Sequence, residues 1–152
     1  MDPACLLKWV QILYYLAAAF AAAWAVWVYH TNSRRERSKW AESLYSRFFE
    51  EDNLKEIRHI LDSEKGDPKV EEQCAKAERS ASEGANFTDY LNFFELVAYL
   101  KESGQLKTKD VDALFSYYLC SLKKHDCVTA YIGKYGFKHL KNLLSEYDGK
   151  QR

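Results

Sequence analysis

The chain has 152 residues, and its 22 basic side chains balance 22 acidic ones to give a formal net charge of zero. That balance excludes the strongly basic field that draws a protein onto nucleic acid. Hydrophobic residues make up 47% of the chain, too many for an intrinsically disordered polymer, and four cysteines are too few for a dense disulfide framework.

Residues 1–8 read as a short tail containing Asp2 and Lys8. From Trp9 to Tyr29 the chain carries no charge at all. As a helix this stretch spans roughly 32 Å, enough to cross a hydrocarbon core of about 30 Å. Trp9 stands at one end and Trp27 and Tyr29 at the other. Their rings are apolar while their N–H and O–H groups need water, which suits the membrane interface. The stretch therefore predicts a transmembrane helix over 9–29. Ala18 and Ala22, within a run of alanines, form a small-x-x-x-small pair through which two spans could self-associate as a homo-oligomer. A cleaved signal peptide fits poorly, because the basic cluster follows the apolar run instead of preceding it.

That cluster includes Arg34, Arg35 and Arg37, in a basic juxtamembrane linker placed at 30–39. The positive-inside bias puts the N-terminus out and the C-terminal domain in the cytoplasm, at the inner (plasma) membrane. Cys74, Cys120 and Cys127 then face a reducing compartment.

Residues 40–148 read as one helical domain and 149–152 as a tail. Trp40, Leu44 and Phe48 recur every four residues beside Tyr45 and Phe49, an amphipathic face expected to pack in a core. Asp52 or Asn53 is placed to cap a helix carrying Leu54, Ile57, Ile60 and Leu61. Gly66-Asp67-Pro68 breaks the chain and starts the next helix, with Asp67 as cap and Pro68 in the first helical position. Phe87 to Ser103 is the strongest helix of the domain. It is apolar around most of its girth, with Asn92, Glu95, Tyr99 and Glu102 as a polar stripe and Gly104 as its C-terminal cap. Helices follow over Thr108–Lys123, from Asp126 to a stop at Gly136, and from Phe137 to Tyr147. The fold class is all-α: one N-terminal transmembrane helix, then a five- to six-helix cytoplasmic bundle.

Little in the chain points to chemistry. There is no phosphate-cradling glycine loop, no Gly-x-Ser-x-Gly elbow and no His-Glu-x-x-His pair. Cys120, His125 and Cys127, with Cys74 as a distant fourth, offer zinc-type donors at a spacing unlike a standard knuckle. Their plainer reading is as small residues at a helix end, and no metal or other cofactor is expected. Asn92, Glu95 and Tyr99 form the candidate functional stripe, although Glu95 lacks a visible nucleophile or second acid–base partner. No catalytic residue is assigned.

The run Tyr90-Leu91-Asn92-Phe93-Phe94-Glu95-Leu96-Val97-Ala98, followed by Gly104 and a helix containing Phe115 and Tyr117-Tyr118, resembles a bacterial domain-of-unknown-function family. Members of that family often carry one N-terminal span and a helical cytoplasmic domain. Leu91 to Glu95 stand where the family has a recurring Leu-Asn-aromatic-aromatic-Glu helix, and the matching core covers roughly residues 44–147. The lysine-rich segment from Lys123 to Cys127 departs from it. The resemblance implies an all-helical membrane-tethered module, with some phage-encoded or defence-related relatives, and no established activity.

The expected function is a single-pass, membrane-anchored helical binding module without a catalytic site, its partners the lipid bilayer and an unidentified protein. The alternative is a small membrane-disrupting effector that acts by oligomerisation of its span.

Overall fold

The computed structural model describes residues 3–147, and the side chains of all of them except those at 3–8, 10, 34, 37 and 38. Among the described residues there are seven α-helices and no strand: α1 (Pro3–Glu50), α2 (Asp52–Leu61), α3 (Pro68–Arg79), α4 (Ala85–Glu102), α5 (Thr108–Lys124), α6 (Asp126–Lys134) and α7 (Lys138–Glu146). Asp148 and the tail at 149–152 lie outside the described residues.

α1 is the main departure from expectation. The tail of residues 1–8 is helical from Pro3, and the basic linker at 30–39 is helical throughout. Neither glycine nor proline interrupts residues 4–50, and the stretch is rich in alanine, the strongest helix former. Polarity alone does not end a helix. By its packing the chain divides into two units, residues 1–39 and residues 40–152.

The second unit is organised around Phe48, which is fully buried. Its ring lies 4.7 Å from Tyr118, 5.2 Å from Phe93 and 5.5 Å from Phe94, centroid to centroid. Phe115 and Tyr90 close the cluster at 5.6 and 5.8 Å. Most of these rings meet edge to face, the arrangement their quadrupoles favour. Leu44 is buried with Phe48, but Trp40 is 46% exposed and Tyr45 is exposed as well. The face of α1 turned to the core is Ala41, Leu44 and Phe48, which lie about 40–100° round the helix from Trp40.

Helix ends are satisfied by side chains from elsewhere in the unit. The last carbonyls of α1 have no partner within the helix. Arg58 of α2 donates from Nη1 to the Phe48 carbonyl at 2.9 Å, and its guanidinium lies over the rings of Phe48 and Phe49. Its charge also suits the negative end of the α1 dipole. The Leu61 carbonyl, at the end of α2, accepts from Ser121 Oγ at 2.5 Å and contacts His125 Nε2 at 3.0 Å. Asp67 caps α3 as expected, accepting from the Lys69 amide at 2.8 Å with Pro68 behind it. Asp52 and Asp126 are instead the first residues of α2 and α6, which start after Glu51 and His125 without a side-chain cap.

α4 starts at Ala85, and Gly84, just before it, touches α3. A Cβ at Gly84 would lie 2.1 Å from the Ala77 Cα, so only glycine fits there. At the far end Gly104 has φ of 74°, the left-handed geometry that stops the helix.

These contacts set up a paired test by thermal unfolding of the full chain in detergent, followed by circular dichroism. Gly84→Ala should lose about 1–3 kcal/mol through overpacking against backbone. Gly133→Ala, inside α6 with nothing within 4 Å, should gain about 0.5–1 kcal/mol from helix propensity. Equal effects would contradict the α3–α4 contact.

Candidate functional site

Two surfaces stand out: the apolar stretch of α1 and the polar stripe of α4. The stretch runs Gln11–Ser33, 23 residues, and none of its most apolar window is buried. It is the one described helix long and apolar enough to cross a membrane, somewhat shifted from the 9–29 read from sequence. Phe20 is 71% and Trp24 57% exposed, values unusual for large apolar side chains of a water-soluble core. Trp9, Trp27 and Tyr29 are exposed at its ends, and Ala18 and Ala22 are exposed along it. Phe20, Trp24 and Trp27 form a ladder on one face, with ring centroids 6.4 and 5.1 Å apart.

Two polar side chains near its ends find partners inside the helix. Thr31 Oγ1 donates to the Trp27 carbonyl at 2.9 Å, and Gln11 Nε2 reaches Tyr15 Oη at 3.5 Å. Such internal pairing is what a hydrocarbon surround demands, since lipid tails offer no hydrogen bonds. Arg35 is exposed beyond the stretch; the side chains of Arg34 and Arg37 lie outside the described residues.

The α4 stripe turns out to be the docking strip for α7. Phe137 precedes α7 and cannot cap it, so its first amides need an acceptor. Glu95 provides one from α4: Oε1 accepts from the His139 amide at 3.1 Å and Oε2 from the Leu140 amide at 2.7 Å. A carboxylate there also meets the positive end of the α7 dipole. Two turns along α4, Glu102 Oε2 lies 2.6 Å from His139 Nδ1, and Oε1 accepts from Asn142 Nδ2 at 3.4 Å. Tyr99 packs edge-on against the His139 ring at 5.5 Å, and Lys101 pairs with Glu146. Asn92 is exposed at the start of the stripe. Glu95 thus acts as an interhelical cap, and Glu102 ties the two helices through the side chains of His139 and Asn142. The 3-4-3 spacing showed that these residues share a face, and only the fold shows what covers it.

Cys74 and Cys127 are neighbours, but His125 and Cys120 do not complete a set of metal donors with them. His125 is buried and turned to the Leu61 carbonyl. Cys74, Cys120 and Cys127 are free thiols. Burial pushes the Cys74 thiol up, helped by neighbouring Cys127. Among the described residues there is no cluster of three His, Cys, Asp or Glu side chains able to hold a metal. Arg58, Ser121 and His125, which tie helix ends together, carried no signal in the sequence beyond their hydrogen-bonding capacity.

Glu102 gives the strip a pH dependence. His139, then Asn142, hold Glu102 below its ordinary value of 4.5. A depressed carboxylate stabilises the fold above its ordinary pKa, and that contribution is lost as pH falls through the lower folded value. The protection factors of the α7 amides, taken against the intrinsic exchange rate at each pH, should therefore fall on acidification, and Glu102→Gln should blunt that response. Glu95→Gln should weaken α7 by about 0.5–2 kcal/mol at neutral pH, the usual cost of a lost cap. Exchange in α7 indifferent to Glu95 would contradict the capping role.

Comparison with known proteins adds one match. A domain of unknown function, DUF4760, matches residues 15–122, from within the apolar stretch to the end of the α5 core. It ends just before the Lys123–Cys127 segment and does not reach α6 or α7. No curated protein and no solved structure matches the chain. The chain belongs to the DUF4760 family.

Proposed function

From that membership and the bare apolar stretch, we propose a single-pass membrane protein whose helical domain is a binding module held at the cytoplasmic face of a bacterial inner membrane. The observation that carries the reading is that none of the most apolar window within Gln11–Ser33 is buried. In water such a surface carries the full hydrophobic penalty, and in a bilayer it carries none.

Charge sets the boundary and the direction. At a helix centre each Leu, Ile, Phe or Val favours insertion by about 0.3–0.6 kcal/mol, while an arginine opposes it by about 2.5–3.5. Arg34, Arg35 and Arg37 together would oppose it by about 8–10 kcal/mol, so the lipid-embedded segment stops short of them. They keep to the cytoplasmic side, where anionic headgroups attract them. A tether of this kind raises the local concentration of the domain at the membrane, so a weak helical surface can capture a membrane-associated protein.

The alanine face through Ala18 and Ala22, lying opposite the Phe20–Trp24–Trp27 ladder, favours a second reading. Here the spans pack through the small residues, and the chain acts as a membrane-disrupting effector of the phage-defence type. Expression tests separate the two. Growth arrest or dye leakage that disappears in Ala18→Leu/Ala22→Leu supports the effector, and harmless expression supports the module.

Orientation is tested by replacing Arg34, Arg35 and Arg37 together with glutamate. Protease protection in spheroplasts should show wild-type residues 40–152 shielded and the variant inverted or poorly inserted. Shielding unchanged by the substitution would contradict the role of the arginines.

A further inference from the structure

The second unit also holds a cavity of about 410 Å³ between the end of α2 and the last two turns of α5. Its volume falls in the range of roughly 300–1,000 Å³ typical of small-molecule sites. Asp62, Lys65, Tyr117, Cys120, Ser121, Lys123 and Lys124 line it, three ammonium groups against one carboxylate. Lys123 and Lys124 suit the α5 dipole, which is reason enough for two lysines at that end. Neither the dipole nor helix propensity accounts for Lys65, which reaches the same space from the α2–α3 turn.

Lys65 and Lys124 are held in place without being used up. Lys124 Nζ donates to the Ser63 carbonyl at 2.7 Å, and Lys65 Nζ lies 2.9 Å from Asp126 Oδ2. An ammonium has three donors, so each retains capacity toward the cavity. Tyr117 supplies an aromatic wall. It is 62% exposed, braced edge-on by Tyr118 at 5.2 Å, and its hydroxyl sits beside Asp62, whose charge pushes the phenol pKa up. Asp62 is thereby engaged with a neutral O–H donor. The Ser121 hydroxyl is turned away to the Leu61 carbonyl.

We propose that this cavity binds a small phosphomonoester bearing an aromatic ring, a ligand of the mononucleotide class. A phosphomonoester carries about 1.5–2 negative charges at neutral pH, enough to bridge ammonium groups from two elements. Lysine, a compact point charge on a flexible stem, accepts such a group without bidentate geometry. The exposed face of Tyr117 is free to stack on a base. The proposal does not depend on the membrane reading, since every lining residue belongs to residues 40–152.

The test is calorimetric titration of the full chain, in phosphatidylcholine nanodiscs, with adenosine monophosphate, adenosine and inorganic phosphate. Adenosine monophosphate should saturate one site per chain, at least about tenfold more tightly than either fragment. Lys65→Gln/Lys123→Gln should weaken it about tenfold or more, and Tyr117→Leu should reduce it to the level of inorganic phosphate. Circular dichroism confirms the fold of each variant, and the exposed Tyr117 provides a readout should the lysine pair destabilise the domain. No saturable binding of adenosine monophosphate up to about 10 mM overturns the proposal. So does binding unchanged in both variants, or charge-dependent binding confined to nanodiscs containing phosphatidic acid, which would assign the lysines to lipid headgroups.

Discussion

The structure depends on how the chain divides its apolar surface. One part, from Leu44 through Tyr147, closes on itself around Phe48. The other, Gln11–Ser33, has no protein over it. A water-soluble domain avoids the second arrangement, because bare apolar area drives association. The exposure is also continuous, and the polar side chains near its ends are satisfied within their own helix. Those properties match the demands of hydrocarbon, where the backbone and every polar atom must find partners without water.

Within the second unit, polar chemistry is spent on joining helices. Arg58 closes the end of α1, Ser121 and His125 close the end of α2, and Glu95 opens α7. Each contact joins residues far apart in sequence and pins a helix end to another helix. A group left unpaired in such a position would cost about 1–3 kcal/mol, so these links also select one packing over its competitors. Glu95 and Glu102, the most enzyme-like carboxylates in the sequence, are occupied in this way. Lys65 and Lys124 beside the α2–α5 cavity differ, since their ties leave part of their donor capacity open.

Periodicity made most helices of the domain legible. α5 places Val111, Phe115, Tyr118 and Leu122 at a 4-3-4 spacing, and Asp67-Pro68 announced α3 at the residue where it begins. Gly104 likewise stops α4 in the left-handed geometry expected of it. Two things were not legible. The helix through residues 30–39 looks like a linker because its side chains are charged, but backbone propensity, not polarity, decides whether a helix continues. Trp40 looks like core because it shares a four-residue spacing with Leu44 and Phe48, yet the buried face is turned toward the Ala41 side and leaves Trp40 at its edge. The roles of Glu95, Arg58 and His125 needed the tertiary fold, since each partner lies on a different helix. The cavity was hidden for the same reason: Lys65 and Lys123 meet only after folding.

The central claim is that Gln11–Ser33 is covered by lipid. Its most direct measurement is the depth of Trp24 and Trp27 in vesicles of brominated phosphatidylcholines, read by fluorescence quenching in the full chain with Trp9 and Trp40 replaced by phenylalanine. The account requires stronger quenching of Trp24 by bromines deep in the acyl chains and of Trp27 by bromines nearer the headgroup. Tryptophans untouched by bromine at any depth, in a chain that stays monomeric in the aqueous phase, would contradict it.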